Sequence, residues 1–98
     1  MSDTLLAPVR TPSPSGTARS HREDRPIKVV LWNDDVNDVM HVIVTLVRTI
    51  AGMSLPQAQA VTMTAHVKGS AIAAETYRER AEFYREQLEA NGLTASLE

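Results

Sequence analysis

The sequence predicts an α+β fold, in which a small antiparallel three-stranded sheet carries three helices on one side, in the order βααβαβ. Three observations support this prediction. Residues 27–32 form a β-branched apolar run, and residues 39–50 and 75–91 each place apolar side chains at helical spacing. Residues 1–25 are polar and rich in Ser, Thr, Pro and Arg, so we expect a disordered N-terminal extension before a folded domain at 26–98.

The first predicted strand covers residues 27–32. Ile27, Val29 and Leu31 fall on one face of an extended chain, and the β-branched residues of this run favour a well-buried strand. The strand is expected to end at Asn33, Asp34 and Asp35, which we call the acidic turn.

The first helix is predicted from an apolar stripe that begins at Val39 and ends at Ile50. Asn37 or Asp38 is the expected N-cap, and Gly52 is expected to stop the helix. His41 lies off this stripe and is predicted to be solvated. The stripe consists of Val39, Val42, Ile43, Leu46, Val47 and Ile50.

The second helix is predicted to open at Ser54, whose hydroxyl can cap the first turn while Gln57 reaches back to the Ser54 backbone. It is weakly amphipathic, extends to His66 and should end before Gly69. The short run of small residues at 70–73 then predicts a second strand.

The third helix is predicted from about Glu75 to Asn91. Charged residues are expected to cover its exposed faces, and Asn91 with Gly92 supplies a C-terminal stop. The alternating residues 93–97 predict the final strand. The predicted buried stripe of this helix is Tyr77, Ala81, Tyr84 and Leu88.

Composition excludes several classes of function. Residues 26–98 carry six Lys and Arg against nine Asp and Glu, which argues against a sequence-independent grip on nucleic acid. There is no cysteine, hence no disulfide framework and no thiolate metal site, and no glycine-rich phosphate loop is present. No apolar run approaches the roughly 20 residues that span a bilayer. We therefore expect a cytoplasmic protein that does not bind nucleic acid or membrane, too small for both a fold and a deep catalytic cleft.

The acidic turn admits a structural and a functional interpretation. In the first, residues 33–38 form an Asx turn and an N-cap. In the second, they bind a cation. A metal held by Asp34, Asp35 and His66 is one candidate. A primary ammonium is another, because its three N–H donors need three acceptors from different directions, and an Asn carbonyl, an Asp carboxylate and a neutral His nitrogen supply them.

Three segments together resemble the ClpS family, the adaptors of the Clp ATP-dependent protease. The first is Val30-Leu31-Trp32-Asn33-Asp34-Asp35-Val36-Asn37, the second is Thr64-Ala65-His66-Val67-Lys68-Gly69, and the third is residues 91–98. The resemblance covers residues 27–98. It implies an adaptor without catalytic activity or cofactor, acting as a monomer. Such adaptors bind proteins whose first residue is Leu, Phe, Tyr or Trp, and deliver them to the N-terminal domain of the AAA+ unfoldase ClpA or ClpC.

The resemblance also implies roles for particular residues. Asn33, Asp35 and His66 would hold the substrate's α-amino group, and Asp34 would shape the turn beside them. Glu79 and Glu82 would contact the unfoldase, and the N-terminal extension would engage it during delivery. The pocket for the first side chain would be formed by Leu31, Val39, Val42, Thr62, Ala65 and Leu93, with Met63 beside it.

Some positions depart from the family pattern. Val39 stands where a methionine usually gates the pocket, and Thr62 and Ala65 replace a usual Met and Val. We therefore expect a differently shaped pocket with weaker discrimination against β-branched first residues. Glu79 matches the family's docking face, but Tyr84 stands where a Lys is usual, which favours ClpC over ClpA as the partner.

Two alternatives of other classes remain open at the level of sequence. One is a small metal-binding or acid–base enzyme domain that uses Asp34, Asp35 and His66. The other is a generic interaction domain of the same topology, in which the acidic turn is purely structural.

Overall fold

The computed structural model describes residues 25–98, so the prediction of a disordered extension concerns a segment that lies almost entirely outside the described residues. The described chain follows the predicted order βααβαβ. Its strands are β1 (Ile27–Trp32), β2 (Ser70–Thr76) and β3 (Ala95–Leu97), and its helices are α1 (Val39–Thr49), α2 (Leu55–Lys68) and α3 (Arg78–Ala90).

The sheet is antiparallel and three-stranded, with β1 in the centre between β2 and β3. Leu31 lies opposite Ala71 on one side and Ala95 on the other. The pairing of β1 with β2 shifts register between Val29 and Val30, where β2 carries one extra residue. Because β1 is central, the acidic turn that follows it lies beside the ends of both neighbouring strands.

The core lies between the sheet and the helices. Val29 and Leu31 of β1 are fully buried, and they pack in one cluster with Leu46 of α1 and Leu88 of α3. The α+β prediction is confirmed. None of the helices in residues 25–98 is long and apolar enough to cross a membrane.

The helix ends follow local sequence signals. Asp38 caps α1 by accepting a hydrogen bond from the Met40 backbone N–H at 3.2 Å. Ser54 and Gln57 form the predicted capping box of α2, with distances of 3.2 and 2.8 Å. Gly69 ends α2 with φ at +97°, in the left-handed region that glycine adopts without strain.

Two adjoining boundaries were predicted wrongly, the end of the second strand and the start of the third helix. The second strand extends to Thr76, because residues 74–76 pair with Val29, Lys28 and Ile27 and complete the ladder along β1. The third helix therefore begins at Arg78. Tyr77 is an extended N-cap residue with 63% of its surface exposed, and it does not belong to the buried stripe of α3.

The final strand is also shorter than the predicted 93–97, since only residues 95–97 are in the ladder with β1. Leu93 is nevertheless buried in the core, with 3% of its surface exposed. Its backbone N–H donates to the Leu88 carbonyl at 3.0 Å, which folds the residue back over the end of α3.

Candidate functional site

A narrow cavity of about 30 Å³ opens where the end of β1, the acidic turn, the start of α1 and the C-terminal half of α2 meet. The backbone N–H of Asn33 donates to the Gly69 carbonyl at 2.9 Å, which holds the acidic turn beside the end of α2. The cavity is lined by Leu31, Asn33, Asp34, Asn37, Val39, Val42, Thr62, Ala65 and His66.

The inner wall of the cavity is apolar. Leu31, Val42 and Ala65 are buried, whereas Val39 is 54% exposed. Thr62 is also buried, and its hydroxyl donates to the Ala58 carbonyl at 2.8 Å. The only buried side-chain donor of this wall is therefore already satisfied within α2, and the wall can contact an apolar group without leaving that donor unpaired.

The outer wall is polar and centres on Asp34. One carboxylate oxygen of Asp34 accepts hydrogen bonds from the backbone N–H groups of Val36 at 2.8 Å and Asn37 at 2.9 Å. The other oxygen accepts from the Asn37 side-chain amide at 2.6 Å. Backbone and side-chain hydrogen bonds from Asn37, in that order, lower the pKa of the Asp34 carboxyl, and they outweigh the burial that raises it. Asp34 therefore both forms an Asx turn and carries a negative charge into the cavity wall at neutral pH.

Asn33 and His66 both line the cavity, and both residues are exposed. The Asn33 amide nitrogen donates to Asp35 Oδ1 at 3.3 Å, which leaves the Asn33 side-chain oxygen as an acceptor. The imidazole of His66 is exposed, and none of residues 25–98 forms a hydrogen bond with it. Both side chains can thus accept hydrogen bonds from a molecule at the mouth of the cavity.

The cavity does not contain every residue expected from the sequence. Asp35 does not line the cavity, but it accepts a hydrogen bond from Asn33, which does. Met63 follows Thr62 on α2, is 54% exposed and is not one of the lining residues. Leu93 is buried in the core but is also absent from the lining.

Asn37 is a lining residue that the sequence suggested only as a helix cap. Its side-chain amide bonds to Asp34 and also donates to the Gly92 carbonyl at 2.9 Å, 55 residues along the chain. His41 is exposed as predicted, but it is not merely solvated, because its Nε2 lies 2.8 Å from the Asn91 carbonyl oxygen. No local sequence pattern predicts the Asn37–Gly92 or the His41–Asn91 contact, because both depend on the position of the turn after α3.

The donor set for a metal is incomplete in the described part of the chain. Within residues 25–98, no group of three or more His, Cys, Asp or Glu side chains is arranged to hold a metal ion. The Asp34 carboxylate is already engaged by three donors of its own turn. The arrangement therefore does not support the metal site that Asp34, Asp35 and His66 could have formed.

The exposed face of α3 carries Glu79 and Glu82. Glu82 lies 3.7 Å from Arg78 one turn earlier, an exposed ion pair of the kind that contributes little to stability. Glu79 borders an open groove of about 450 Å³, whose other walls are Thr49, Ala51, Arg80, Phe83 and Tyr84.

Tyr84 forms the floor of this groove and belongs to the core. It is buried, and its hydroxyl accepts a hydrogen bond from the Ala51 backbone N–H at 3.3 Å. Position 84 therefore fixes the turn between α1 and α2 against α3. It does not present a charged side chain to a partner, in contrast to the lysine usual in the family pattern.

Comparisons with known proteins agree with this fold. Residues 22–96 match the family model described as ATP-dependent Clp protease adaptor protein ClpS. The chain is 39% identical over 71 residues to the ClpS adapter of Synechococcus elongatus, covering 72% of this chain and 75% of that protein. It is 37% identical over 95 residues to the ClpS adapter of Synechococcus sp. strain CC9902, covering 90% and 91%.

Among solved structures, the chain is similar to Agrobacterium tumefaciens ClpS2 bound to L-phenylalaninamide. The TM-score is 0.69 at 31% sequence identity, and the match covers 76% of this chain and 96% of that one. The family model, the two relatives and the solved structure all match the part of the chain that forms this domain. The chain belongs to the ClpS family of Clp protease adaptors.

Proposed function

We propose that this protein is an adaptor that binds the N-terminal residue of substrate proteins, with Leu, Phe, Tyr or Trp in first position, and delivers them to a Clp AAA+ unfoldase. The observation that carries this proposal is a single cavity with an apolar inner wall and acceptors at its mouth. A free N-terminal residue offers the matching pair of groups, a charged amine and a side chain on the same carbon. L-phenylalaninamide, bound to the similar ClpS2 structure, has both groups.

The amine is held by acceptor groups of the acidic turn and of α2. Asn33 offers its side-chain oxygen, because its nitrogen is engaged by Asp35. His66 offers a ring nitrogen, and Asp35 offers carboxylate charge one side chain away. Asp34 Oδ2 accepts only one hydrogen bond within the described residues, so it retains a lone pair as well as its charge. An α-amino group has a pKa of about 7.7 to 8.0 and is mostly charged at neutral pH, which suits this acidic mouth.

The side chain enters between Leu31, Val42, Thr62 and Ala65, beneath Val39 at the rim. Burial of a Leu or Phe side chain contributes about 1.5 to 3 kcal/mol, and each hydrogen bond to a charged group contributes about the same. After the cost of association, these contributions correspond to a dissociation constant nearer micromolar than nanomolar. Affinity in this range allows an adaptor to release its substrate to the unfoldase.

The test is fluorescence anisotropy with a labelled peptide that begins with Phe, compared with the same peptide acetylated at its N-terminus. The free peptide should bind, and the acetylated peptide should not, because acetylation removes both the charge and two donors. His66→Ala should weaken binding about tenfold, whereas His41→Ala, which changes an exposed histidine outside the cavity, should leave it unchanged. Equal binding of the free and acetylated peptides would contradict the proposal.

The rim residue Val39 bears on the choice of first residue. Valine is shorter than the methionine usual at this position, so the mouth is less able to exclude a side chain branched at Cβ. We therefore propose that Ile and Val are tolerated as first residues alongside Leu, Phe, Tyr and Trp. A peptide series differing only in the first residue tests this, and a hundredfold or greater rejection of Ile and Val would exclude it.

The partner surface is proposed to be the exposed face of α3. Glu79 and Glu82 would contact the N-terminal domain of ClpC or ClpA, and the groove beside Glu79 supplies apolar area next to that charge. Glu79→Lys should abolish capture of the unfoldase domain, whereas Glu86→Lys, an exposed glutamate on the same helix, serves as the matched control. If Glu79→Lys and Glu86→Lys both capture ClpC and ClpA as the wild type does, the contact lies elsewhere on the surface.

We further propose that the protein acts as a cytoplasmic monomer and does not itself catalyse a reaction.

A further inference from the structure

The side chain of Asn37 has a fixed orientation that follows from hydrogen-bond chemistry alone. Its nitrogen lies 2.6 Å from Asp34 Oδ2 and 2.9 Å from the Gly92 carbonyl oxygen. A carboxylate and a carbonyl can only accept hydrogen bonds, so the NH₂ group must face both of them. Both hydrogens are thereby used, and the amide cannot rotate without losing two bonds at once.

These two bonds join segments that are distant in sequence. Asp34 belongs to the acidic turn, and Gly92 belongs to the turn between α3 and β3. Gly92 has φ at +87°, and a Cβ placed there would lie 3.7 Å from both polar atoms of the Asn37 side chain. That distance is an ordinary van der Waals contact, so the left-handed φ is what favours glycine over other residues at position 92.

A second link reaches the same turn without touching the acidic residues. His41 Nε2 lies 2.8 Å from the Asn91 carbonyl oxygen, so this nitrogen carries a hydrogen and donates it. The turn after α3 is therefore held from two sides, by His41 of α1 and by Asn37. Only Asn37 also holds the Asp34 carboxylate.

From this geometry we infer that Asn37 is a positioning residue of the amine site, which orients the Asp34 carboxylate toward the cavity by anchoring it to the turn after α3. The inference rests on the proposed function, because it assigns Asn37 a part in binding the substrate's amine. Without this anchor, Asp34 keeps the two backbone bonds to its Oδ1 but loses the one that fixes its Oδ2.

The test compares Asn37→Ala, Asn37→Asp and His41→Ala with the wild type, using anisotropy with the Phe-starting peptide. Asn37→Ala should weaken binding about tenfold. Asn37→Asp has the same shape but no donor, and it sets a second carboxylate against Asp34, so it should also weaken binding about tenfold or more. His41→Ala breaks the other link to the same turn and should change affinity less than about twofold.

A second readout separates positioning from general loosening of the fold. The Asp34 carboxyl is titrated by NMR in each variant, together with a thermal melt. In Asn37→Ala the Asp34 pKa should move up toward its ordinary value, because the side-chain hydrogen bond that lowers it is gone. In His41→Ala it should stay nearer to that of the wild type.

Each outcome decides the question. Affinities within twofold of the wild type for both Asn37 variants would overturn the inference, as would an equal loss in Asn37→Ala and His41→Ala. An unchanged Asp34 titration in Asn37→Ala would overturn it as well, even if that variant melts earlier. If the wild type itself fails to bind the peptide, the proposed function falls and this role in substrate binding falls with it.

Discussion

Filling the cavity should abolish side-chain recognition without unfolding the protein. Ala65 is buried on α2 and lines the cavity opposite the polar mouth. Ala65→Leu adds three carbon atoms at a position whose open neighbour is a void of about 30 Å³. The new side chain would occupy the space that a substrate's first side chain needs. Leucine is also a good helix former, so α2 itself is not weakened.

The magnitude follows from the burial that is lost. A Phe or Leu side chain gains about 1.5 to 3 kcal/mol on burial, so exclusion from the cavity should reduce affinity roughly 10- to 150-fold. The hydrogen bonds at the amine would persist, and the residual affinity of a peptide beginning with Phe should approach that of one beginning with Ala. Overpacking costs about 1 to 3 kcal/mol where the void cannot accept the added carbons, which the melting temperature would show.

The assay is fluorescence anisotropy with peptides that begin with Phe or Ala, combined with circular dichroism melts. Ala60→Leu is the matched control, because Ala60 is exposed on the same helix and does not line the cavity. Ala65→Leu should lose the preference for Phe over Ala, and Ala60→Leu should keep it. A folded Ala65→Leu variant that still binds Phe-starting peptides as the wild type does would refute the assignment of this cavity to the first side chain.

Two further predictions address stability and its dependence on pH. Leu46 is 0% exposed, so Leu46→Ala should lower the free energy of unfolding by about 2 to 5 kcal/mol in urea titrations, whereas Leu55→Ala, at an exposed position, should lower it much less. Because the pKa of Asp34 is lowered in the folded state, its contribution to stability is present above the ordinary value of 3.8 and is lost as pH falls below it. Asp34→Asn should therefore flatten the acid limb of a stability–pH profile, and an unchanged limb would contradict this role.

Most of the secondary structure could be predicted because its signals are local. The stripe from Val39 to Ile50 defines α1, and Ser54 with Gln57 defines the start of α2, since both depend on residues within one or two turns. The Asx turn of Asp34 is equally local, as its partners lie two and three residues away. The α+β class follows from the order of these elements.

The end of β2 could not be read from the sequence in the same way. Residues 74–76 have helix-compatible side chains next to a strongly helical segment, and only pairing with β1 makes them extended. Tyr77 is exposed for the same reason. Because the strand extends to Thr76, Tyr77 is an extended N-cap residue and is not part of the helix, whose buried face it was predicted to join. Tertiary hydrogen bonding here overrides local preference.

The chemical groups that this domain has available can be read directly from its amino acids: an acidic turn after a buried strand, a histidine near the end of α2 and a folded body of net negative charge. Packing of the helices on the sheet selects which of these groups share one cavity. It brings Asn33 to Gly69 and Asn37 to Gly92, includes Asn37 in the lining, and leaves Met63 and Leu93 out of it. Local sequence patterns do not specify these contacts, because they join residues far apart along the chain. Their formation depends on how the helices pack on the sheet, and no periodicity or cap within a single element specifies that packing.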